Sequence, residues 1–177
     1  MTMVTLTIDG KKVQAKEGTT ILEAAGLYGI KIPTLCYLKD INEIGVCRVC
    51  VVEVKGEDSL QASCVTPVEE GMAVYTQSQT VRHSRRTTVE LILSNHPYDC
   101  PTCVRHGSCE LQDLVRELDL DIYHTVYARP DFPFMGEMSD HAPDDSNSFL
   151  VLDPAKCLLC QRCVAICREK SVNPLEI

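Results

Sequence analysis

Eleven cysteines fall into three groups whose spacing is the most informative feature of the chain. The first group is Cys36-x10-Cys47-x2-Cys50-x13-Cys64. Four thiolates suit either a zinc ion or a [2Fe–2S] cluster. Zinc sites usually pair two short knuckles of the form C-x2-C, and here only Cys47 and Cys50 make one. Cys36 comes from a long loop and Cys64 from an expected strand. That asymmetry favours a two-iron rhombus, with Cys36 and Cys47 on one iron and Cys50 and Cys64 on the other. Gly45 would let the loop backbone approach inorganic sulfide, so that amide N–H groups can hydrogen-bond it.

The second group is His96-x3-Cys100-x2-Cys103-x5-Cys109. A cubane takes one protein ligand per iron, and three cysteines leave one iron to another donor. His96 is the candidate, and His106, between Cys103 and Cys109, is the rival. A histidine following a helix is more often a capping or surface residue, and His83, His124 and His141 are read that way. Imidazole in place of a thiolate makes a cluster less negative, which by itself raises its potential.

The third group, Cys157-x2-Cys160-x2-Cys163-x3-Cys167, has the spacing of the bacterial ferredoxin run. There the first three cysteines hold one cubane and the fourth ligates a second. Cys167 is followed by Arg168 rather than the usual proline, and the complementary half does not follow before Ile177. The expectation is a fragment of a longer protein. A ligand from a partner and a degenerate site are the alternatives.

These groups need elements to position them. Val4 to Ile8 alternates like a strand, Asp9-Gly10 signals a turn, and a second strand around Val13 closes a hairpin. Thr19-Thr20 can cap a helix through Ile21, Leu22, Ala24, Ala25 and Leu27, with Gly29 as its stop. Strands are expected at Val51–Val54, 60–65 and 72–76. The result is a sheet wrapped on one helix over residues 1–77. Residues 78–121 read as helical. A long helix carries Val81, Thr88, Val89 and Ile92 near one face and breaks before Pro97. A second starts near Cys109 with Leu111, Leu114, Val115 and Leu118. Residues 122–152, with Pro130, Pro133, Pro143 and the acidic Asp140, Asp144 and Asp145, read as an extended arm or linker, and 153–177 carries the last cysteines. Arg82, Arg85 and Arg86 read as a solvated helix face, or else as a docking patch for an acidic partner.

The composition agrees with metal binding. The chain has 177 residues, suited to small domains, with six Tyr, three Phe and no Trp to fill a core. Bound metal would then supply part of the folding energy. An odd number of cysteines without an export signal argues against a disulfide framework and for a reducing compartment. A net charge of −8 disfavours nucleic-acid binding, and no apolar run is long enough to span a membrane. There is no G-x-G-x-x-G, P-loop or nucleophile elbow, so nothing points to NAD binding or two-electron catalysis by this chain.

The stretches Ile32-Pro33-Thr34-Leu35-Cys36-Tyr37, Gly45-Val46-Cys47-Arg48-Val49-Cys50, His96-Pro97-Tyr98-Asp99-Cys100-Pro101-Thr102-Cys103, Gly107-Ser108-Cys109-Glu110-Leu111-Gln112 and Asp153-Pro154-Ala155-Lys156-Cys157 together cover nearly the whole chain. In this order they resemble the N-terminal iron–sulfur region shared by several oxidoreductases. These are the large iron–sulfur subunit of respiratory NADH dehydrogenase, the catalytic subunits of multimeric [FeFe]-hydrogenases and NAD-linked formate dehydrogenases, and the diaphorase iron–sulfur subunit of bidirectional hydrogenases. The Cys36–Cys47 gap exceeds the plant-type four-residue gap and fits the respiratory branch.

The resemblance implies an α+β chain: a β-grasp [2Fe–2S] ferredoxin-like domain, a small helical domain with a histidine-ligated [4Fe–4S] site, and a partial bacterial-ferredoxin segment. It implies Cys36, Cys47, Cys50 and Cys64 for the first cluster, and His96, Cys100, Cys103 and Cys109 for the second. Cys157, Cys160 and Cys163 would hold part of a third, with Cys167 as its fourth ligand or serving a further cluster. The implied function is a non-catalytic relay of single electrons within an oxidoreductase complex. Its partners would be a flavin- and NAD(P)H-binding subunit and a terminal catalytic subunit or domain. The setting would be cytoplasmic, including the cytoplasmic face of a membrane-associated complex. The rival readings are a zinc-stabilised interaction module without redox role and, more remotely, a catalytic cubane with an open iron at the three-cysteine site.

Overall fold

Asp9 and Gly10 both have positive φ, 48° and 78°, which is what a two-residue primed turn demands. They join β1 (Met3–Ile8) to β2 (Lys11–Lys16) in antiparallel register, with Val4 opposite Ala15 and Leu6 opposite Val13. All four of those side chains are buried. The computed structural model describes residues 2–97, 99–121 and 142–169. His124, His141, Pro130, Pro133, Asp140 and Tyr98 lie outside the described residues.

Helix α1 (Ile21–Leu27) starts at the expected place. Thr20 and Glu23 form a reciprocal capping box, and Gly29 follows the helix with φ 69°. Ile21, Ala24 and Ala25 share one face and are buried. Burying Ile21 alone is worth about 2 kcal/mol. They pack with Leu6, Ile8, Val13, Val52, Val54 and Val74 into a single core. Three more strands complete the sheet: β3 (Val51–Val54), β4 (Gln61–Ala62) and β5 (Ala73–Tyr75). The order is β2-β1-β5-β3-β4, with β1 and β5 parallel and the other neighbours antiparallel. Asp9 ties the hairpin turn to the end of β5 by accepting from the amide of Thr76 at 2.7 Å and its hydroxyl at 2.5 Å.

The strand expected at 60–65 is shorter than its sequence suggests. It ends at Ala62, and Ser63, Cys64 and Val65 form a turn instead. The physical reason is local. Leu22 and Ile21, at the start of α1, donate their free amides to the carbonyls of Ser63 and Thr66 at 2.9 Å each, drawing that segment out of the ladder.

Helix α2 (Gln79–Ser94) and helix α3 (Glu110–Glu117) follow. Along α2 the buried positions are Val81, Arg85, Val89 and Leu93, a stripe spaced by four, while Thr88 and Ile92 are half-buried. On α3, Leu111, Leu114 and Val115 are buried. Within the stretch read as an extended arm, Asp144–Asn147 (β6) and Leu150–Leu152 (β7) pair as a small antiparallel hairpin. A 3-10 turn at Pro154–Lys156 and helix α4 (Arg162–Glu169) carry the last cysteine run. The chain sorts into two units, one running up to Arg85 and joined by the segment from Cys160, the other running from Arg86 to Leu159. Among the described residues no helix is long and apolar enough to cross a membrane.

Candidate metal centres

The first cysteine group is built on the core of the first unit. Cys36, Cys50 and Cys64 are buried and Cys47 is half-buried. Cys47 and Cys50 lie on the loop that enters β3, Cys64 on the turn that leaves β4, and Cys36 on the segment after α1. The sulfurs are arranged as two pairs. The Cys50 and Cys64 Sγ atoms are 3.3 Å apart, too far for a disulfide and close to the roughly 3.8 Å of two thiolates on one tetrahedral metal. Cys36 and Cys47 act on each other in the same way, each being the leading influence on the other's thiol.

Each pair carries unequal protons. Cys47 is held down to about 5, first by the Cys36 thiol and further by the backbone amides of Val49, Cys36 and Leu35, against the cost of burial. Cys50 is held down to about 6, chiefly by Cys64, with Ser63 assisting. Their partners move the other way. Cys36 is pushed up by its bond to Cys47 and by burial, and Cys64 by Cys50, by burial and by repulsion from Cys50, Cys36 and Cys47. So the four sulfurs act on one another, and backbone groups of Leu35, Cys36, Val46, Cys47 and Val49 favour the thiolate forms of Cys36 and Cys47. Among the described residues, no three His, Cys, Asp or Glu side chains converge on one ion-sized point.

Three residues that support this group carry no cysteine-like signal. Ser63 is fully buried, and its hydroxyl donates to the Cys50 carbonyl at 2.8 Å. Arg85 is 2% exposed and donates from Nη2 to the Val51 carbonyl at 2.7 Å and from Nε to the Val49 carbonyl at 3.1 Å. That clamps the backbone on either side of Cys50 onto α2. The expectation that Arg82, Arg85 and Arg86 form one solvated or docking face is corrected accordingly. Arg82 is exposed, Arg85 is buried, and Arg86 donates to the Leu118 carbonyl and, at 3.2 Å, to that of Asp119. The available signal was spacing, because Arg85 lies four residues from both Val81 and Val89. The third residue is Asn42, also 2% exposed. Its amide nitrogen donates to the carbonyls of Cys36 at 2.8 Å and Cys160 at 2.9 Å. Arg162 donates to the Tyr37 carbonyl at 3.0 Å. The start of the ferredoxin-like helix is thereby stapled to the Cys36 loop.

Gly45 has φ 64°, and a Cβ there would lie 3.2 Å from Val65 Cγ2. The loop needs glycine for its left-handed backbone and for its approach to the turn that holds Cys64. Arg48, between Cys47 and Cys50, also has positive φ, 57°.

The second group lies on a loop made of successive turns. Asp99 accepts from the amide and the hydroxyl of Thr102, Cys100 from the Cys103 amide, and Cys103 from the His106 amide. Cys109 is the N-terminal flanking residue of α3 and makes no side-chain cap. All three cysteines are half-buried. Cys100 is raised, first by burial and then by the negative potential of Cys103, Cys109 and Asp99, so these groups are neighbours. His96 Nδ1 lies 3.0 Å from the Pro97 carbonyl. A carbonyl can only accept, so Nδ1 carries the proton and the Nε2 lone pair is left available. The His106 and His83 side chains are exposed.

The third group is divided between the units. Cys157 belongs to the second unit, where its Sγ accepts from the Leu159 amide at 3.4 Å. Cys160, Cys163 and Cys167 belong to the first, with Cys163 exposed and Cys167 on α4. Leu159 and Gln161, on either side of Cys160, both have positive φ.

Residues 1–79 match a family described as a 2Fe-2S iron-sulfur cluster binding domain, and residues 85–122 one described as the NADH-ubiquinone oxidoreductase-G iron-sulfur binding region. HndD of the NADP-reducing hydrogenase of Solidesulfovibrio fructosivorans is 42% identical over 172 residues, covering 94% of this chain and 28% of the relative. The 75 kDa subunit of NADH-ubiquinone oxidoreductase from Reclinomonas americana is 36% identical over 173 residues, covering 97% of this chain and 24% of the relative. This chain therefore spans under a third of both relatives. The gamma chain of the NAD-reducing hydrogenase HoxS of Cupriavidus necator is 34% identical, over 95% of this chain and 67% of the relative. A crystal structure of an NAD+-reducing [NiFe]-hydrogenase in the H2-reduced state superposes with a TM-score of 0.82 at 34% identity, covering 94% of this chain and 67% of that one. With both iron–sulfur domains matched and two thirds of a relative covered, the chain belongs to the family of iron–sulfur subunits of NAD(P)-linked hydrogenases and NADH dehydrogenase type complexes.

Proposed function

We propose that the chain relays single electrons between a flavin- and NAD(P)H-binding partner and a terminal catalytic subunit or domain in a cytoplasmic oxidoreductase complex. The observation that supports this reading is that the first four cysteines act on one another as two pairs, Cys50 and Cys64 with Sγ atoms 3.3 Å apart and Cys36 and Cys47 as each other's leading influence. Pairing is what a two-metal centre requires, whereas one zinc ion would need all four sulfurs around one point. An iron–sulfur cluster supplies one-electron chemistry, because thiolate and sulfide ligands spread one added charge over several metals.

The chain's residues do the remainder. Cys36, Cys47, Cys50 and Cys64 hold the [2Fe–2S] cluster. Val49 and its neighbours direct amides at Cys47, and Arg85 and Ser63 keep the Cys50 backbone in place. His96, Cys100, Cys103 and Cys109 hold the [4Fe–4S] cluster, with the Pro97 carbonyl orienting the imidazole so that Nε2 is the donor. Cys157, Cys160 and Cys163 contribute to a further [4Fe–4S] cluster, with Cys167 as its fourth ligand or serving another. The zinc-module reading would need a single convergent site, and the paired sulfurs do not favour it.

A potentiometric titration of His96→Cys tests the histidine assignment. Replacing imidazole by thiolate adds negative charge, so the four-iron signal should remain and titrate at lower potential. An unchanged titration would remove His96 from the ligand set.

A further inference from the structure

Lys156 and Asp99 each stand one residue ahead of a cysteine, Cys157 and Cys100, and they pair with each other. Lys156 Nζ lies 3.0 Å from Asp99 Oδ2 and 3.6 Å from Asp153 Oδ2. The Lys156 side chain is 29% exposed, that of Asp153 28% and that of Asp99 40%, so the lysine and Asp153 are partly withdrawn from water and Asp99 less so. Asp99 Oδ1 is buried and accepts no hydrogen bond among the described residues. Lys156, on the other oxygen, is the cation paired with this carboxylate. Asp153 accepts from the Ala155 amide at 3.2 Å, which fixes the 3-10 turn presenting Lys156. Asp99 immediately precedes Cys100, and the charge of Cys103 acts on Lys156 as that of His96 does, more weakly, on Asp99. The Lys156–Asp99 pair thus sits beside the second cysteine group, with Asp153 at the head of the lysine's own turn, all in the same unit.

We propose that Lys156 is a potential-setting residue for the cluster of the second group, positioned by Asp99 and Asp153. The inference rests on the electron-relay reading of that group. The physical basis is charge. Adding an electron makes the cluster more negative, and a fixed cation in a partly dehydrated site favours that state more than a mobile counterion does. Without Lys156, the Asp99 carboxylate beside the group is uncompensated. Without the Asp99 charge, the cation acts with less opposition. The two substitutions must therefore move the potential in opposite directions. A merely structural ion pair would not give this, because breaking it from either side would have the same consequence.

The test is an anaerobic potentiometric titration of the full chain, reconstituted with iron and sulfide and read by EPR. The two-iron signal serves as internal reference, and the four-iron signal followed is the one that His96→Cys shifts, so that a cluster on Cys157, Cys160 and Cys163 is not taken for it. Lys156→Met should lower the reduced-to-oxidised ratio of the four-iron cluster at the wild-type midpoint about tenfold, equivalent to about 59 mV downward for one electron. The two-iron midpoint should stay fixed. Lys156→Arg should restore the wild-type value, and Asp99→Asn should shift the midpoint upward. Unmoved four-iron midpoints in both Lys156→Met and Asp99→Asn would overturn the proposal, as would shifts in the same direction. Should Lys156→Met fail to assemble the cluster, Asp99→Asn decides alone: an upward shift supports the proposal, and any other result overturns it. If wild-type protein shows no four-iron signal at all, the failure belongs to the relay reading.

Discussion

The first and second cysteine groups hold the same kind of side chain in different ways. Around the first, the protein supplies nearly everything: three of four sulfurs are buried, two are drawn toward thiolate, and amides, Ser63 and Arg85 fix the surrounding backbone. Around the second, the backbone satisfies itself in short turns, the cysteines are half-buried, and Cys100 is pushed away from thiolate by burial and its neighbours. The first group is preorganised by a hydrophobic core, whereas the second depends on what it binds for much of its order.

That contrast can be broken or sharpened by experiment. The largest expected effect follows anaerobic removal of iron. Amides of residues 96–109 should lose most of their protection from hydrogen exchange, while those of β1, β3 and α1 keep theirs. Equal loss in both regions would erase the distinction. Next is Arg85→Met, which strands two buried carbonyls and should destabilise the first unit by about 3 kcal/mol in denaturant unfolding. It should weaken retention of the two-iron cluster before the four-iron one. A smaller effect, about 1 kcal/mol, is expected for Gly45→Ala, which forces a side chain into left-handed backbone against Val65. Its signature should be a changed two-iron EPR line shape with the four-iron spectrum intact.

Much of this was legible in the sequence because it is local. Alternation plus Asp9-Gly10 specifies the first hairpin, and Thr20 with Glu23 writes the start of α1 directly. The cysteine spacing delimits the groups, and within the first of them the Cys50 and Cys64 sulfurs lie 3.3 Å apart. What was hidden depends on distant partners. Arg85 looks like a surface charge until the carbonyls of Val49 and Val51, more than thirty residues earlier, are brought to it. Asn42 has no motif, and its role needs Cys160, 118 residues away. Cys64 leaves the strand because α1 needs acceptors for its first amides. The hairpin at Asp144–Leu152 lacks a hydrophobic alternation. Asp144 and Asn147 side chains bond the amides of Ser146 and Phe149 two residues on, and those turns shape it instead.

The most direct check is EPR of the anaerobically purified chain together with its iron, acid-labile sulfide and zinc content. Dithionite reduction should produce separate two-iron and four-iron signals that vanish on reoxidation and return on a second reduction. Zinc without acid-labile sulfide, or clusters that cannot be cycled, would contradict the account.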